Sequence, residues 1–282
     1  NDMNKEIIWS LQFSEDESLR ENGNQTHLYF VPKYDANIPG MTRTVEYGRP
    51  YARMKPTQFM SDLYDASIDS RYQAYWRDTW YATTATDKLS VGDTAFYLPK
   101  NAWDKAQIDS KNYKVFNPEF SESLGNDYSM VSNRVFLHLK KFDDVKRATM
   151  NEVKGTRDWV CFRVAEAYLL AGEAYYRAGD MDNALKYINI LRRNCAIEGK
   201  EKEMEISASD LSVDFILDER ARELCGEGKR WYDLKRLGKL IERTDLYNKK
   251  AHGNIKPFHE LRPIPQSQID RCSNVYPQNP QW

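Results

Sequence analysis

Apolar and polar positions alternate at the start of the chain. Ile7, Trp9, Leu11 and Phe13 fall on one face of residues 6–13, the period-2 pattern of a half-buried strand. The segment after it, with Gly23, Asn24, Pro32, Pro39 and Gly40, has no period and reads as a long loop. A second turn region runs from Gly48-Arg49-Pro50 to Lys55-Pro56-Thr57. Thr57 is placed to cap a short helix whose inner face is Met60, Leu63 and Tyr64 and which closes at Asp65 to Asp69. Between Arg71 and Thr84, rings and threonines suit a pleated surface and predict strand. Residues 85–132 read as loop, and Val135, Leu137 and Leu139 alternate as one more strand.

The period becomes helical near Trp159. A helix is predicted from Trp159 through Ala178, a stop at Gly179-Asp180, and a second helix from Met181 to about Arg193 with Leu185, Ile188 and Leu191 near one face. So short a turn makes the two helices antiparallel. Ala167, Gly172, Tyr175, Gly179 and Ala184 sit where a tetratricopeptide unit brings its helices close, although one such unit cannot bury its own face. A third helix is predicted after Ser207-Ala208-Ser209-Asp210, carrying Val213, Ile216, Leu217, Ala221 and Leu224 and ending at Gly226-Glu227-Gly228. A fourth starts near Arg230 with Trp231, Leu234, Leu237 and Ile241, and five prolines from Pro257 onward predict an extended tail. The expected fold is mostly α, with an irregular loop-rich region and a few short strands. It divides into an aromatic-rich part, 1–150, and a helical part, 151–282.

Charge narrows the function classes. The 282 residues hold 41 Lys and Arg against 42 Asp and Glu, a net charge of −1, with no bias in either part, so the basic field of a nucleic-acid or anionic-membrane binder is missing. No apolar run approaches the roughly 20 residues of a membrane helix, and Asn1-Asp2-Met3-Asn4-Lys5 does not read as a signal peptide. Cys161, Cys195, Cys225 and Cys272 have no CxxC spacing and are expected as free buried thiols, with one or two disulfides left open by the sequence. His27, His138, His252 and His259 have no metal-ligand spacing, so no metal and no cofactor is expected. Glu219, Glu223 and Glu227 recur at helical spacing among Arg220, Arg222 and Arg230. Glycoside cleavage needs two carboxylates flanking a sugar bond, roughly 5 to 9 Å apart, whereas these point the same way and read as an ion-pair network. No nucleophile, phosphate-loop or dinucleotide motif occurs, and no catalytic residue is assigned.

Aromatics change the picture most. Of 36, 23 lie in the first 150 residues, and Tyr72, Tyr75, Trp76, Trp80 and Tyr81 fall together, with Trp103 apart. They are either two buried layers of core or, in part, a platform on which sugar rings or peptide side chains stack.

Several segments carry a specific resemblance. The run from Phe162-Arg163-Val164-Ala165-Glu166-Ala167-Tyr168-Leu169 to Ala174 is similar to the R-x-A-E-x-Y-L helix of the SusD/RagB family. Ile216-Leu217-Asp218-Glu219-Arg220 through Glu227-Gly228-Lys229-Arg230-Trp231-Tyr232-Asp233-Leu234 resembles that family's E-R-x-x-E-L and E-G-x-R-W-x-D-L block. Asn189 to Arg192, Leu261-Arg262-Pro263-Ile264-Pro265 and the ending Gln278-Asn279-Pro280 are similar to further family motifs. Upstream, Glu6-Ile7-Ile8-Trp9, Pro56-Thr57 and Asp69-Ser70-Arg71 match more weakly. The resemblance implies a SusD-like fold with tetratricopeptide-like helix pairs. It implies a non-catalytic subunit that binds a nutrient, most often an oligosaccharide or polysaccharide, at the outer face of the outer membrane of Bacteroidetes-type bacteria. The partner implied is a SusC-like TonB-dependent transporter. Family members are about twice this long and carry an N-terminal lipid anchor, so this chain resembles their C-terminal part. The family's motifs hand over no ligand contacts. The irregular region usually holds the site, which points to Trp76, Trp80 and Tyr81, with Tyr72, Tyr75 and Trp103 beside them. A peptide-binding scaffold and a glycan-cleaving enzyme are the competing classes.

Overall fold

A computed structural model describes residues 4–16, 18–118 and 134–282. The rest of the expected loop, 119–133, lies outside the described residues. The strands are β1 (Ile7–Leu11), β2 (Trp76–Arg77), β3 (Thr79–Tyr81), β4 (Thr94–Tyr97), β5 (Lys114–Val115), β6 (His138–Leu139) and β7 (Trp159–Arg163). The helices are α1 (Thr26–Tyr29), α2 (Gln58–Asp62), α3 (Arg71–Tyr75), α4 (Lys105–Asp109), α5 (Val164–Ala178), α6 (Met181–Asn194), α7 (Glu201–Met204), α8 (Val213–Glu223), α9 (Arg230–Arg236), α10 (Leu240–Tyr247) and α11 (Gln266–Ile269). Mostly helical, with a few short strands, the fold is of the expected class.

The chain divides into compact units Asn1–Glu227 and Gly228–Trp282, not near residue 150. The reason is pairing across that boundary. β1 runs antiparallel to β7, with Leu11 opposite Trp159, and Asn24 and Gly155 exchange main-chain hydrogen bonds of 2.9 and 3.1 Å. The predicted helix from Trp159 therefore begins five residues late: Trp159-Val160-Cys161-Phe162 are residues that pack well on a pleated surface, and β1 is there to receive them. The strand expected across residues 71–81 is also broken. Arg71–Tyr75 is helix, and only β2 and β3 are extended.

The helix hairpin follows its sequence signals. Gly179 ends α5 in the left-handed conformation at φ 79°, and the Asp180 side chain accepts from the Asn183 N–H to cap α6. A Cβ on Gly172 would lie 2.6 Å from Ile188 Cγ1, so only glycine permits this approach of α5 to α6. α8 is capped by Ser212, not by the Ser207–Asp210 cluster, which closes its own turn through Asp210. In the second unit the predicted fourth helix is split at Gly238, φ 67°, into α9 and α10. The tail is not wholly extended, since Pro257–Glu260 forms a 3₁₀ turn and α11 follows.

The glutamates of α8 hold the first unit together. Arg71 Nη1 lies 2.8 Å from Glu219 Oε1 and 3.0 Å from Glu223 Oε2, while its Nη2 lies 2.8 Å from Asp69 Oδ2. Arg192 and Arg222 also reach Glu219, Arg163 bridges Glu223 and Glu227, and Lys141 pairs with Glu227. Burial by itself raises the Glu219 and Glu223 carboxyls. The surrounding guanidinium charges outweigh it and hold both below the usual carboxylate range, Glu219 far below. Each of these carboxylates is thus committed to cations.

Candidate functional site

The aromatic cluster singled out in the sequence does not form one exposed face. Trp80 is 0% exposed at the centre of a ring stack, 4.8 Å from Tyr34 and 5.2 Å from Phe96. Trp76 is 4% exposed and packs beside Tyr64 and Leu139. Neither indole offers a face to a ligand. Helix α3 and the short strands after it turn these rings inward, where each buries more apolar surface than any other side chain type would. Tyr72 is buried too, its hydroxyl 3.4 Å from Asp78 Oδ2. Trp103 is half-buried, 5.3 Å from Tyr97 with Lys111 Nζ over its ring.

Tyr81 and Tyr75 remain in play, at different places. Tyr81 is 50% exposed. Its main chain is fixed at both ends of the residue by the Tyr47 hydroxyl, which sits 3.1 Å from the Tyr81 nitrogen and 3.3 Å from its oxygen. Beside it Thr83 Oγ1 accepts from the Thr42 N–H at 2.8 Å, and Arg43 next in sequence donates to Asp35 and Asn151. Tyr81 is thus a single exposed ring at the pinned end of β3, beside polar groups.

Tyr75 lines a cavity of about 240 Å³ with Phe142, Trp159, Lys141, Arg163 and Glu227. Phe142 is the hinge of its aromatic side, stacked 5.2 Å from Phe30 and 5.8 Å from Trp159. Lys141 Nζ stands 4.5 Å over the Tyr75 ring and donates to Glu227 and to the Glu223 carbonyl. Burial depresses the Lys141 ammonium, with the Glu227 carboxylate opposing that depression. Burial raises Glu227, and the charges of Lys141 and Arg163 overcome it and keep the group low and ionised. Asn4, Asn24 and Asp158 add amide and carboxylate groups to its lining. A few rings and a few oriented polar groups converging on one cleft suit a ligand that is apolar on one face and hydroxylated at its edges. Trp159 and Phe142 were not singled out from the sequence, since the helical period of residues 159–178 placed Trp159 inside a helix. The signal available was the strand-like composition of Trp159 to Phe162. Among the described residues, no three His, Cys, Asp or Glu side chains come together to hold a metal ion.

Comparison with known proteins agrees with this architecture. A SusD-like protein of Formosa agariphila is 27% identical over 277 residues, 95% of this chain and 47% of that protein. The starch-binding protein SusD of Bacteroides thetaiotaomicron is 33% identical over 118 residues, 40% of this chain and 20% of its own length. Among solved structures, surface glycan-binding protein A from Bacteroides thetaiotaomicron in complex with laminarihexaose superposes with a TM-score of 0.60 at 19% identity, covering 97% of this chain and 52% of that one. A laminarin-binding SusD-like protein gives a TM-score of 0.60 at 20% identity, covering 100% of this chain and 51% of that one. The chain thus spans about half the length of the relatives it matches over most of its own length. The sequence profile of the SusD family matches residues 5–282. With this match over nearly the whole chain, the chain belongs to the SusD family.

Proposed function

We propose that this chain is the glycan-binding part of a non-catalytic surface protein that passes its ligand to a SusC-like TonB-dependent transporter in the outer membrane. In this reading the longer protein is held there by an N-terminal lipid anchor. The observation that carries the proposal is the cavity walled by Tyr75, Phe142 and Trp159, in which rings and ionised groups face the same space. Support comes from the family and from related proteins named for starch, laminarin and laminarihexaose binding. Glu219, Glu223 and Glu227 support a binding role over a cleaving one, because cations compensate all three and none is raised to serve as a general acid.

The test is calorimetry of the 282-residue chain with a panel of laminari-, malto-, cello- and galacturonate oligosaccharides, with reducing ends assayed in the same samples. Saturable binding with no new reducing ends is expected. Trp159→Ala is expected to weaken it about tenfold, the value of one stacked ring at about 1–1.5 kcal/mol, and Tyr81→Ala less. New reducing ends, or no binding to any member, would overturn the reading. Delivery is tested by co-purification of the full-length protein with a TonB-dependent barrel from its own outer membrane. Its absence from such a complex would refute the transporter partnership.

A further inference from the structure

A separate cavity, of about 360 Å³, shares no wall residue with the aromatic one. Its charged lining is mostly cationic: Arg20, Lys146, Arg147 and Lys154 against Glu15 and Glu152. Elsewhere in the first unit, cations taken out of water stand against carboxylates, as Arg71, Lys141 and Arg163 do. Here they do not. Arg147 is 8% exposed, and among the described residues its guanidinium donates only to main-chain oxygens, those of Asp144 at 2.6 Å, Val45 at 2.8 Å and Glu152 at 3.5 Å. Arg20 is held the same way by the carbonyls of Ser14, Glu15 and Lys154. A carbonyl oxygen orients a guanidinium without cancelling its charge. Burial depresses Arg147, and the carboxylates of Asp144 and Asp143, outside this cavity's lining, oppose that depression.

The remaining donors are free. Lys146 and Lys154 are exposed, and among the described residues neither ammonium, nor the Thr156 hydroxyl beside them, has a hydrogen-bond or ion-pair partner. Of the two carboxylates, Glu152 accepts from the Lys154 N–H at 3.0 Å, and Glu15 is exposed to solvent. Each guanidinium has five N–H groups, so those of Arg20 and Arg147 keep two apiece beyond their main-chain bonds. Two ammonium groups, a hydroxyl and spare guanidinium N–H groups around one space match an anion with three terminal oxygens better than a carboxylate, which has two. Because both arginines are already fixed, little ordering is left to be done on binding.

We propose that this cavity is a binding site for a tetrahedral oxyanion, the sulfate or phosphate group of an ester, held by Lys146, Lys154 and Thr156 in the field of Arg20 and Arg147. The site lies apart from the aromatic cavity, and the inference does not depend on the glycan-binding reading.

NMR titration of the 282-residue chain tests it with galactose 6-sulfate, galactose 6-phosphate, galacturonate, galactose and inorganic sulfate at matched ionic strength. At least one ester is expected to bind about tenfold tighter than galactose, the worth of one charge-assisted hydrogen bond, to bind tighter than galacturonate, and to shift the amides of Lys146, Lys154 and Thr156. The tighter of the two esters names the group. Lys146→Ala and Lys154→Ala are each expected to weaken that ester about fivefold. Both side chains are exposed, so an unchanged melting temperature is expected of both variants. An ester bound no tighter than galactose would overturn the proposal, as would equal binding of galacturonate or an ester affinity untouched by both lysine variants. Binding of inorganic sulfate with neither ester bound would assign the cavity to a free ion and overturn it too. If Trp159→Ala abolishes ester binding while both lysine variants bind normally, the ligand sits in the aromatic cavity, this proposal fails and the glycan reading stands. Lysine-dependent ester binding by a chain that binds no neutral oligosaccharide would support this site and refute the glycan reading.

Discussion

Replacing Arg71 with methionine keeps most of the side chain's length and removes its charge. In the folded protein the guanidinium serves three carboxylates, Asp69, Glu219 and Glu223, whose side chains are 3%, 0% and 4% exposed. Removing one partner of a buried ion pair costs about 3–5 kcal/mol, because the other charge stays behind. The geometry places this case near the lower end, at about 3 kcal/mol. Glu219 keeps Arg192 and Arg222, and Glu223 keeps Arg163, so Asp69 alone loses its forked partner. Urea unfolding followed by tryptophan fluorescence measures the loss. A Trp231→Phe, Trp282→Phe background leaves indoles only in the first unit, which keeps the second unit out of the signal. The pH dependence separates charge from packing. The folded-state values of Glu219 and Glu223 are depressed, so their contribution is present above the ordinary glutamate range near 4.5 and is lost as pH falls through the lower folded values. Arg71→Met raises those folded values, so the difference between the two proteins is expected to be widest at pH 7 and to shrink toward pH 4. A loss below about 1 kcal/mol, within the range of an ordinary surface pair, or a loss equal at both pH values, would refute the reasoning.

Gly172→Ala gains helix propensity but drives a methyl group into the branched, fully buried Ile188. The expected net loss is about 1–2 kcal/mol, and Ile188→Ala in the same chain should relieve most of the coupling in a double-mutant cycle measured by urea midpoint. Trp80→Ala should cost about 3–5 kcal/mol of stability, read as a fall in melting temperature, whereas a surface ligand platform would lose affinity and keep its melting point. Stability of the unaltered chain should fall on acidification in two ranges. The first is below pH 6.5, where burial depresses His27 and the unfolded chain takes up that proton first. The second is below about 4.5, where the unfolded chain takes up protons on Glu219, Glu223 and Glu227 while their depressed folded values keep them ionised in the fold. A His27→Gln chain that keeps the upper range would show the assignment to be wrong.

Local signals were legible where local chemistry decides the outcome. Gly179 with Asp180 marks the turn of the hairpin because one residue must be left-handed and the next must cap a helix. The row Glu219, Glu223 and Glu227 was readable as an ion-pair network, though its chief partner, Arg71, lies 148 residues from Glu219 and could not be paired with it by spacing. Trp159 was misplaced for the same reason: its helical period is genuine, and a strand far away in sequence overrides it. The rings of Trp76 and Trp80 were identified as a cluster, but whether a cluster is core or surface depends on the sheet partners and on Tyr34 and Phe96, which no local pattern identifies. The candidate cavity was hardest to read, since its three aromatic walls come from α3, the turn at residues 140–142 and β7.

The pairing of β1 with β7, and of Arg71 with Glu219 and Glu223, has a consequence for how the chain comes to be folded at all. The contacts that close the aromatic-rich region span 148 and 152 residues in the ion-pair network alone. Closing so long a loop is slow relative to forming the hairpin of α5 and α6, whose partners are neighbours in sequence. At about 5–20 residues per second of synthesis, roughly 7–30 s pass between the emergence of Arg71 and that of the glutamates that capture it. For that interval Arg71 lacks Glu219 and Glu223, whereas Trp80, Tyr34 and Phe96 pack in a hydrophobic cluster that lies wholly within residues 31–135. The rings are therefore packed by partners made before α8, and Glu219 and Glu223 complete only the ion-pair network.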